Sequence, residues 1–188
     1  MKNQSDTYFK SYSGKKINPL DPQPEEIALE DIAHALSLLC RGNGQTKHFY
    51  SVGQHCLNCE REAEARGESL RVRLACLLHD AGEAYLSDVI RPIKKYLPQY
   101  YEIEDRFLKA VFVHFGLDDL TEEEWQKVRK IDDDLLVYDL VELLKEDMPE
   151  SGFCCILKPR LEVEPFEQVE RDYKNQVMFL MEEIKKES

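Results

Sequence analysis

Residues 69–85 read SLRVRLACLLHDAGEAY. The run Leu74-Ala-Cys-Leu-Leu78 is apolar nearly all round a helix, so a helix from about Ser69 to the His79-Asp80 pair belongs at the centre of a bundle rather than on its surface. Two adjacent polar groups at the end of such a helix need something to offset their desolvation. A cation would do so, and imidazole with carboxylate suits a first-row divalent ion. The plainer alternative is that the pair caps the helix, with His79 hydrogen-bonded and Asp80 in water.

Working outward, Ser51-x-x-Gln54 has the capping-box pattern and predicts a helix from about Ser51 to Gly67. His55 then lies in its first turn and His79 in the last turn of the next. A short connection around Gly67–Ser69 favours antiparallel neighbours and brings the two histidines together. Upstream, Ile32, Ala35, Leu36 and Leu39 make one helical face ended by Gly42-Asn43-Gly44. Downstream, a helix is expected from Tyr101 to Phe115, where apolar residues from Ile103 on recur at three- and four-residue steps, after a loop-rich stretch holding Pro92 and Pro98. Thr121-x-x-Glu124 is a second capping box, opening a long helix through Leu143. Residues 149–165, rich in Pro and Gly, predict a connector with a short hairpin, and a last helix runs from about Phe166 to Ile184.

The expectation is an all-α helical bundle, with 1–26 as an extended N-terminal arm and 27–188 as a single helical domain. At 188 residues, 43% hydrophobic and 33% charged, the chain has enough apolar content for one core and no segment long enough to span a bilayer. Its N-terminus lacks the apolar stretch of an export signal, so a cytoplasmic location is expected. With 25 Lys and Arg against 37 Asp and Glu, net −12, the field repels polyanions, which argues against nucleic acid as a partner. A small phosphate ester can still bind where a metal ion or local arginines reverse the potential.

A fourth candidate ligand is Asp132, in the tandem Asp132-Asp133-Asp134. It lies four residues after Val128 and three before Leu135, on the edge of the buried face. Glu83 follows His79 by four residues, which on a continued helix puts it on the same face as a candidate general acid or base. Arg41 precedes the glycine-rich turn, and its guanidinium is suited to holding phosphate. The remaining histidines have ordinary readings: His34 on a helix face, His48 in a polar loop and His114 as a partner for the C-terminal dipole of its helix. Cys40, Cys56, Cys59, Cys76, Cys154 and Cys155 read as reduced, mostly packed cysteines. A zinc site built from Cys56-x-x-Cys59 with Cys154-Cys155 is disfavoured by the long separation of the two halves.

The ordered set His55, His79-Asp80, Asp132 resembles the HD-domain metal-dependent phosphohydrolases. The stretches Asp31-Ile-Ala-His34, Phe49-Tyr-Ser-Val-Gly-Gln-His55, Leu78-His-Asp-Ala-Gly-Glu-Ala-Tyr85 and Ile131-Asp-Asp-Asp-Leu-Leu136 look like its phage-associated, 5'-deoxynucleotidase-like branch, over about Gly14 to Leu143. The resemblance implies one divalent ion (Mn, Co, Ni, Fe, Zn or Mg) held by His55, His79, Asp80 and Asp132. It also implies Glu83 handling the proton of the attacking water, Asp88 near the sugar or scissile phosphate, Arg41 on the phosphate, and a possible homodimer. The substrate it implies is a small phosphate monoester, foremost a 5'-(deoxy)nucleotide. The alternatives are a nucleoside triphosphate or cyclic or alarmone nucleotide as substrate, or a non-catalytic nucleotide-binding module. One departure stands out: enzymes of that branch carry an aromatic residue after this arginine, where this chain has Gly42.

Overall fold

A computed structural model describes residues 8–149 and 152–187, so residues 1–7 of the expected arm lie outside the described residues. The chain is a helical bundle. Its elements are β1 (Phe9–Lys10), β2 (Lys16–Ile17), α1 (Leu29–Leu38), α2 (Val52–Ala65), α3 (Leu70–Leu78), α4 (Glu83–Leu86), α5 (Arg91–Lys94), α6 (Pro98–His114), α7 (Glu122–Leu144) and α8 (Phe166–Glu187), with single 3₁₀ turns at Pro24–Glu26 and Arg41–Gly44.

Helix α3 is the axis. Every residue from Val72 to Leu78 is buried, and α2, α6, α7 and α8 all pack against it. Its continuous apolar run has a wall to meet on each side, and Tyr173 of α8 donates its hydroxyl to the Leu77 carbonyl at 2.6 Å. Both capping boxes form. The Ser51 hydroxyl accepts from the Gln54 amide while Gln54 Oε1 accepts from the Ser51 amide, and Thr121 and Glu124 do the same at the head of α7. Helices α1, α2 and α8 converge at Gly53. A Cβ there would stand 3.0 Å from Val169 Cγ1 and 3.2 Å from the Leu36 carbonyl oxygen, so any larger residue would have to push these neighbours back.

Three local readings need correction. No hairpin forms among the described residues of 149–165. The amides of Ile156 and Leu157 instead donate to the Glu62 carboxylate, that of Arg160 to Asn58 and that of Cys154 to Asp134, so side chains supply what a paired strand would. The short hairpin belongs to the N-terminal arm, where Phe9 pairs with Ile17 and Lys10 with Lys16. It is tied down by the Ser13 amide and hydroxyl on Asp31 and by Lys15 on the carbonyls of Glu25 and Ile27. The stretch around Pro92 and Pro98 is more ordered than a loop. Pro92 lies in the first turn of α5, and Pro98 opens α6, whose start the sequence placed at Tyr101; proline at a first helical position costs no hydrogen bond.

Candidate active site

The short link between α2 and α3 makes them antiparallel, so the first turn of α2 meets the end of α3. The rings of His55 and His79 stand 5.5 Å apart, centre to centre. Helix α7 runs past both and delivers Asp132, whose Oδ1 is 3.1 Å from His55 Nε2 and 3.5 Å from His79 Nε2. Asp80 Oδ2 lies 3.3 Å from His79 Nε2. The four residues singled out as ligands thus share one place. The tandem aspartates separate cleanly: Asp133 is exposed on Arg91, and Asp134 faces Arg66 and Lys130 on another side of the helix.

Each imidazole is oriented by a partner behind it. His79 donates Nδ1–H to the Cys76 carbonyl at 2.7 Å. That leaves Nε2 facing two carboxylates; it is buried and makes no aligned hydrogen bond. A nitrogen lone pair held against two anionic oxygens is unfavourable unless a cation lies between them, and a divalent ion fits this donor set. Without a metal a proton does the work: burial alone would lower the basicity of His79, but Asp80 and Asp132 outweigh it and hold its pKa well above the ordinary imidazole value. Asp132 moves the other way, since its contacts to His55 and His79 overcome burial and keep it far below the usual carboxylate range. His55 passes its Nδ1–H to Asp139 Oδ2 at 3.0 Å, so its Nε2 points inward.

Asp139 was not anticipated. It is 2% exposed and lies two turns beyond Asp132 on the same helix, which was the one signal available. Its Oδ2 also accepts from Arg41 Nε at 3.1 Å. The Arg41 guanidinium continues to Asp80 Oδ2 at 3.3 Å and Asp132 Oδ1 at 3.7 Å, and these carboxylates raise its pKa against the effect of burial. The arginine therefore reaches the site, held at the mouth of the acidic cluster.

Asp88 acts on this loop. Its Oδ2 accepts the Gly42 amide at 2.8 Å, while Gly42 and Asn43 take left-handed backbone angles. Ser87 has φ 76° and ψ 156°, a conformation non-glycine residues rarely hold, and that turn aims Asp88 back at Gly42. Its visible contact therefore positions the segment carrying Arg41.

Between His79 and Glu83 the helix breaks into a turn, yet Glu83 still faces the cluster. It is 6% exposed, and its Oε2 is buried without a partner. Burial, then the charges of Asp80 and Asp88, push its pKa well above the carboxylate range. A carboxyl kept protonated in this way is suited to proton transfer near neutrality.

A cleft of about 310 Å³ opens from His79, Asp80, Glu83 and Asp132, with Arg91, Lys94 and Arg129 on its walls and Leu108, Trp125 and Val128 on its apolar side. Arg91 spans Asp132 Oδ2 and Asp133 Oδ1, both at 2.7 Å, and Lys94 pairs with Glu104 at 2.6 Å. These cations lie in the stretch read as loop-rich and were not foreseen. The other histidines stand elsewhere. His34 pairs with Glu170 and stacks on Tyr12, His48 bonds the Leu161 carbonyl, and His114, in the last turn of α6, bonds the Pro24 carbonyl. Cys154 and Cys155 lie with the Arg66, Glu62 and Asp134 network, away from Cys56 and Cys59.

The HD domain family model matches residues 47–151, more than half of the chain, and covers the histidines and aspartates of this cluster. The chain belongs to the HD domain family, whose members are generally metal-dependent hydrolases. It is also similar to an uncharacterized protein of Rhodobacter capsulatus, 47% identical over 111 residues, or 56% of each chain. The uncharacterized protein YfdR of Escherichia coli is 33% identical over 111 residues, 59% of this chain and 60% of YfdR. The matched part thus spans less than two thirds of either relative. Among the described residues no helix is long and apolar enough to cross a membrane.

Proposed function

We propose that this protein hydrolyses a small phosphate monoester, a 5'-(deoxy)nucleotide being the best-supported class, with one divalent ion held by His55, His79, Asp80 and Asp132. The observation that carries the reading is the cleft itself. In a chain of net charge −12, three cationic side chains line a cavity of about 310 Å³ whose floor is a His/Asp cluster with an unpartnered, buried imidazole nitrogen. That volume is at the lower end of ligand sites, right for one nucleoside monophosphate and small for a polyphosphate chain. When bound, a divalent ion supplies acidification of a water molecule and polarisation of a phosphoryl oxygen.

The chain's own groups divide the rest. Glu83 faces the cleft with Oε2 free of protein partners and delivers or takes the proton there. Arg41, held by Asp139 and by the Asp88-fixed loop, has Nη1 on Asp80 and Nη2 beside Asp132, from where it can share a phosphate bound next to those carboxylates. Arg91 is exposed and bound only to carboxylates, so an incoming phosphate can compete for it. Gly42 offers no ring for base stacking, and the apolar wall of Leu108, Trp125 and Val128 takes that part.

The test is phosphate release from a panel of nucleoside monophosphates with Mn, Co, Ni and Mg, alongside Arg91→Ala. The expected result is turnover of at least one monophosphate and a raised KM in the variant. No phosphate from any of them would overturn the monoesterase reading, and release of pyrophosphate or triphosphate from a nucleoside triphosphate would replace it.

A further inference from the structure

Two cysteines read from sequence as packing residues lie near the histidines: Cys59 groups with His55 and His79, and Cys56 with His79 and Asp80, but only Cys59 is within 3.4 Å of an imidazole nitrogen. Cys59 lies one helical turn after His55 on α2, and its Sγ is 3.4 Å from His55 Nε2, the nitrogen that faces Asp132. Sγ of Cys59, one nitrogen of His55 and one of His79 lie within 4.8 Å of one another. The thiol is 1% exposed, and the unpartnered Nε2 of His79 looks into the same space. The spacing has chemical meaning. Metal bonds of about 2.0–2.1 Å to imidazole nitrogen and about 2.3 Å to sulfur place two neighbouring ligands of one ion roughly 3.1 Å apart at a right angle and roughly 3.6 Å apart at a tetrahedral one, a range that includes this contact.

We propose that Cys59 is a fifth protein ligand of the metal centre, so that the site favours thiolate-accepting ions such as Zn or Co over Mg. The inference rests on the metal-centre reading above and adds a soft donor to it. On binding, an S–metal bond forms and the thiol proton leaves to solvent, as thiolate coordination requires. Magnesium, which prefers oxygen donors, gains nothing from such a ligand, whereas zinc and cobalt do.

The experiment uses the full chain loaded with Co(II) and, separately, with Zn(II). Wild type is expected to show a near-ultraviolet sulfur-to-cobalt charge-transfer band. X-ray absorption of the zinc form should show a sulfur shell at about 2.3 Å. Cys59→Ser should keep stoichiometric cobalt and lose the band, and Cys56→Ser should keep it. Cobalt bound to wild type with neither band nor sulfur shell, or a band that survives in Cys59→Ser, overturns the role of Cys59 while leaving the His/Asp centre standing. Failure of wild type to bind cobalt or zinc sinks the centre and this inference together. Should Cys59→Ser not fold, a sulfur shell that persists in the zinc form of Cys56→Ser supports Cys59, and one that is lost with Cys56 overturns its role.

Discussion

Asp139→Asn isolates the charge behind His55 without changing side-chain volume. Both its hydrogen bonds, from His55 Nδ1 at 3.0 Å and from Arg41 Nε at 3.1 Å, end on the same Oδ2. An asparagine can place its amide oxygen there and keep both contacts, now to a neutral acceptor. Bonds to a charged group contribute about 1.5–3 kcal/mol and neutral ones about 0.5–1.5, so each loses roughly 1 kcal/mol. The amide nitrogen falls where Oδ1 sits buried and unpartnered, which adds an unsatisfied donor. Should the amide turn over, it pushes the His55 proton to Nε2, the nitrogen that must face an ion. Partners of this kind are worth about 10- to 100-fold in metal affinity. The variant should therefore bind Zn or Co about 10- to 100-fold more weakly in competition with a chromophoric chelator. The metal-free protein should lose about 2 kcal/mol in urea unfolding. Asp133→Asn is the control, since that carboxylate is exposed on Arg91 and its pair is worth about 0–1 kcal/mol. Affinity within twofold of wild type for Asp139→Asn would refute the orienting role.

Glu83 gives a prediction in which the direction of the pH effect matters. Its folded pKa is raised, so the folded chain holds a proton that the unfolded chain releases. That stability is fully present below the unfolded value, about 4.3, and is lost as pH rises through the folded one. Glu83→Gln should thus stabilise the metal-free protein at mildly alkaline pH and do little in acid, while cutting phosphate release about 10²- to 10⁴-fold. Denaturation curves shifted equally at both pH values would disprove the assignment. Gly53→Ala should lower stability by about 1–3 kcal/mol, because the Leu36 carbonyl and Val169 cannot both retreat. Helix propensity alone would raise it by about 1 kcal/mol, so a higher melting temperature would show that the α1–α2–α8 junction is looser than drawn.

What could be read from sequence follows the range of the interactions. The apolar run of α3 and the boxes at Ser51 and Thr121 are local chemistry, and the helices follow from them. The period of α7 put Asp132 on the edge of the buried face and the family resemblance selected it; period alone does not set it apart from Asp134, which is also buried, against Arg66 and Lys130. Asp139 was equally within reach, seven residues on and therefore on nearly the same face, but an acidic residue there looks like any other on a helix with many. Arg91 and Lys94 were out of reach, since nothing near Pro92 indicates that the segment folds across α7. The connector of 152–165 resisted for a similar reason. Its amides are satisfied by Glu62, Asn58 and Asp134, residues distant in sequence, and no local pattern encodes such a partner.

The charge arrangement bears on how so acidic a chain would accept the phosphate proposed for it. Asp80, Asp132 and Asp139 would repel one another and any anion if left alone, and Arg41 lies among all three. His79, its basicity raised by two of them, adds a further positive charge whenever no ion is bound. A divalent ion held there would supply that neutralisation with charge to spare and leave Arg41 able to serve a ligand as well as its carboxylates. Arg91 stands one step further out, joined to the free oxygen of Asp132 and more than half exposed. Removing it from that oxygen costs little in water, while a phosphate beside the cluster offers it more charge than a single carboxylate does. The acidic cluster is therefore what holds Arg41 and Arg91 beside the candidate ligands, while Arg129 on the cleft wall pairs with Glu122.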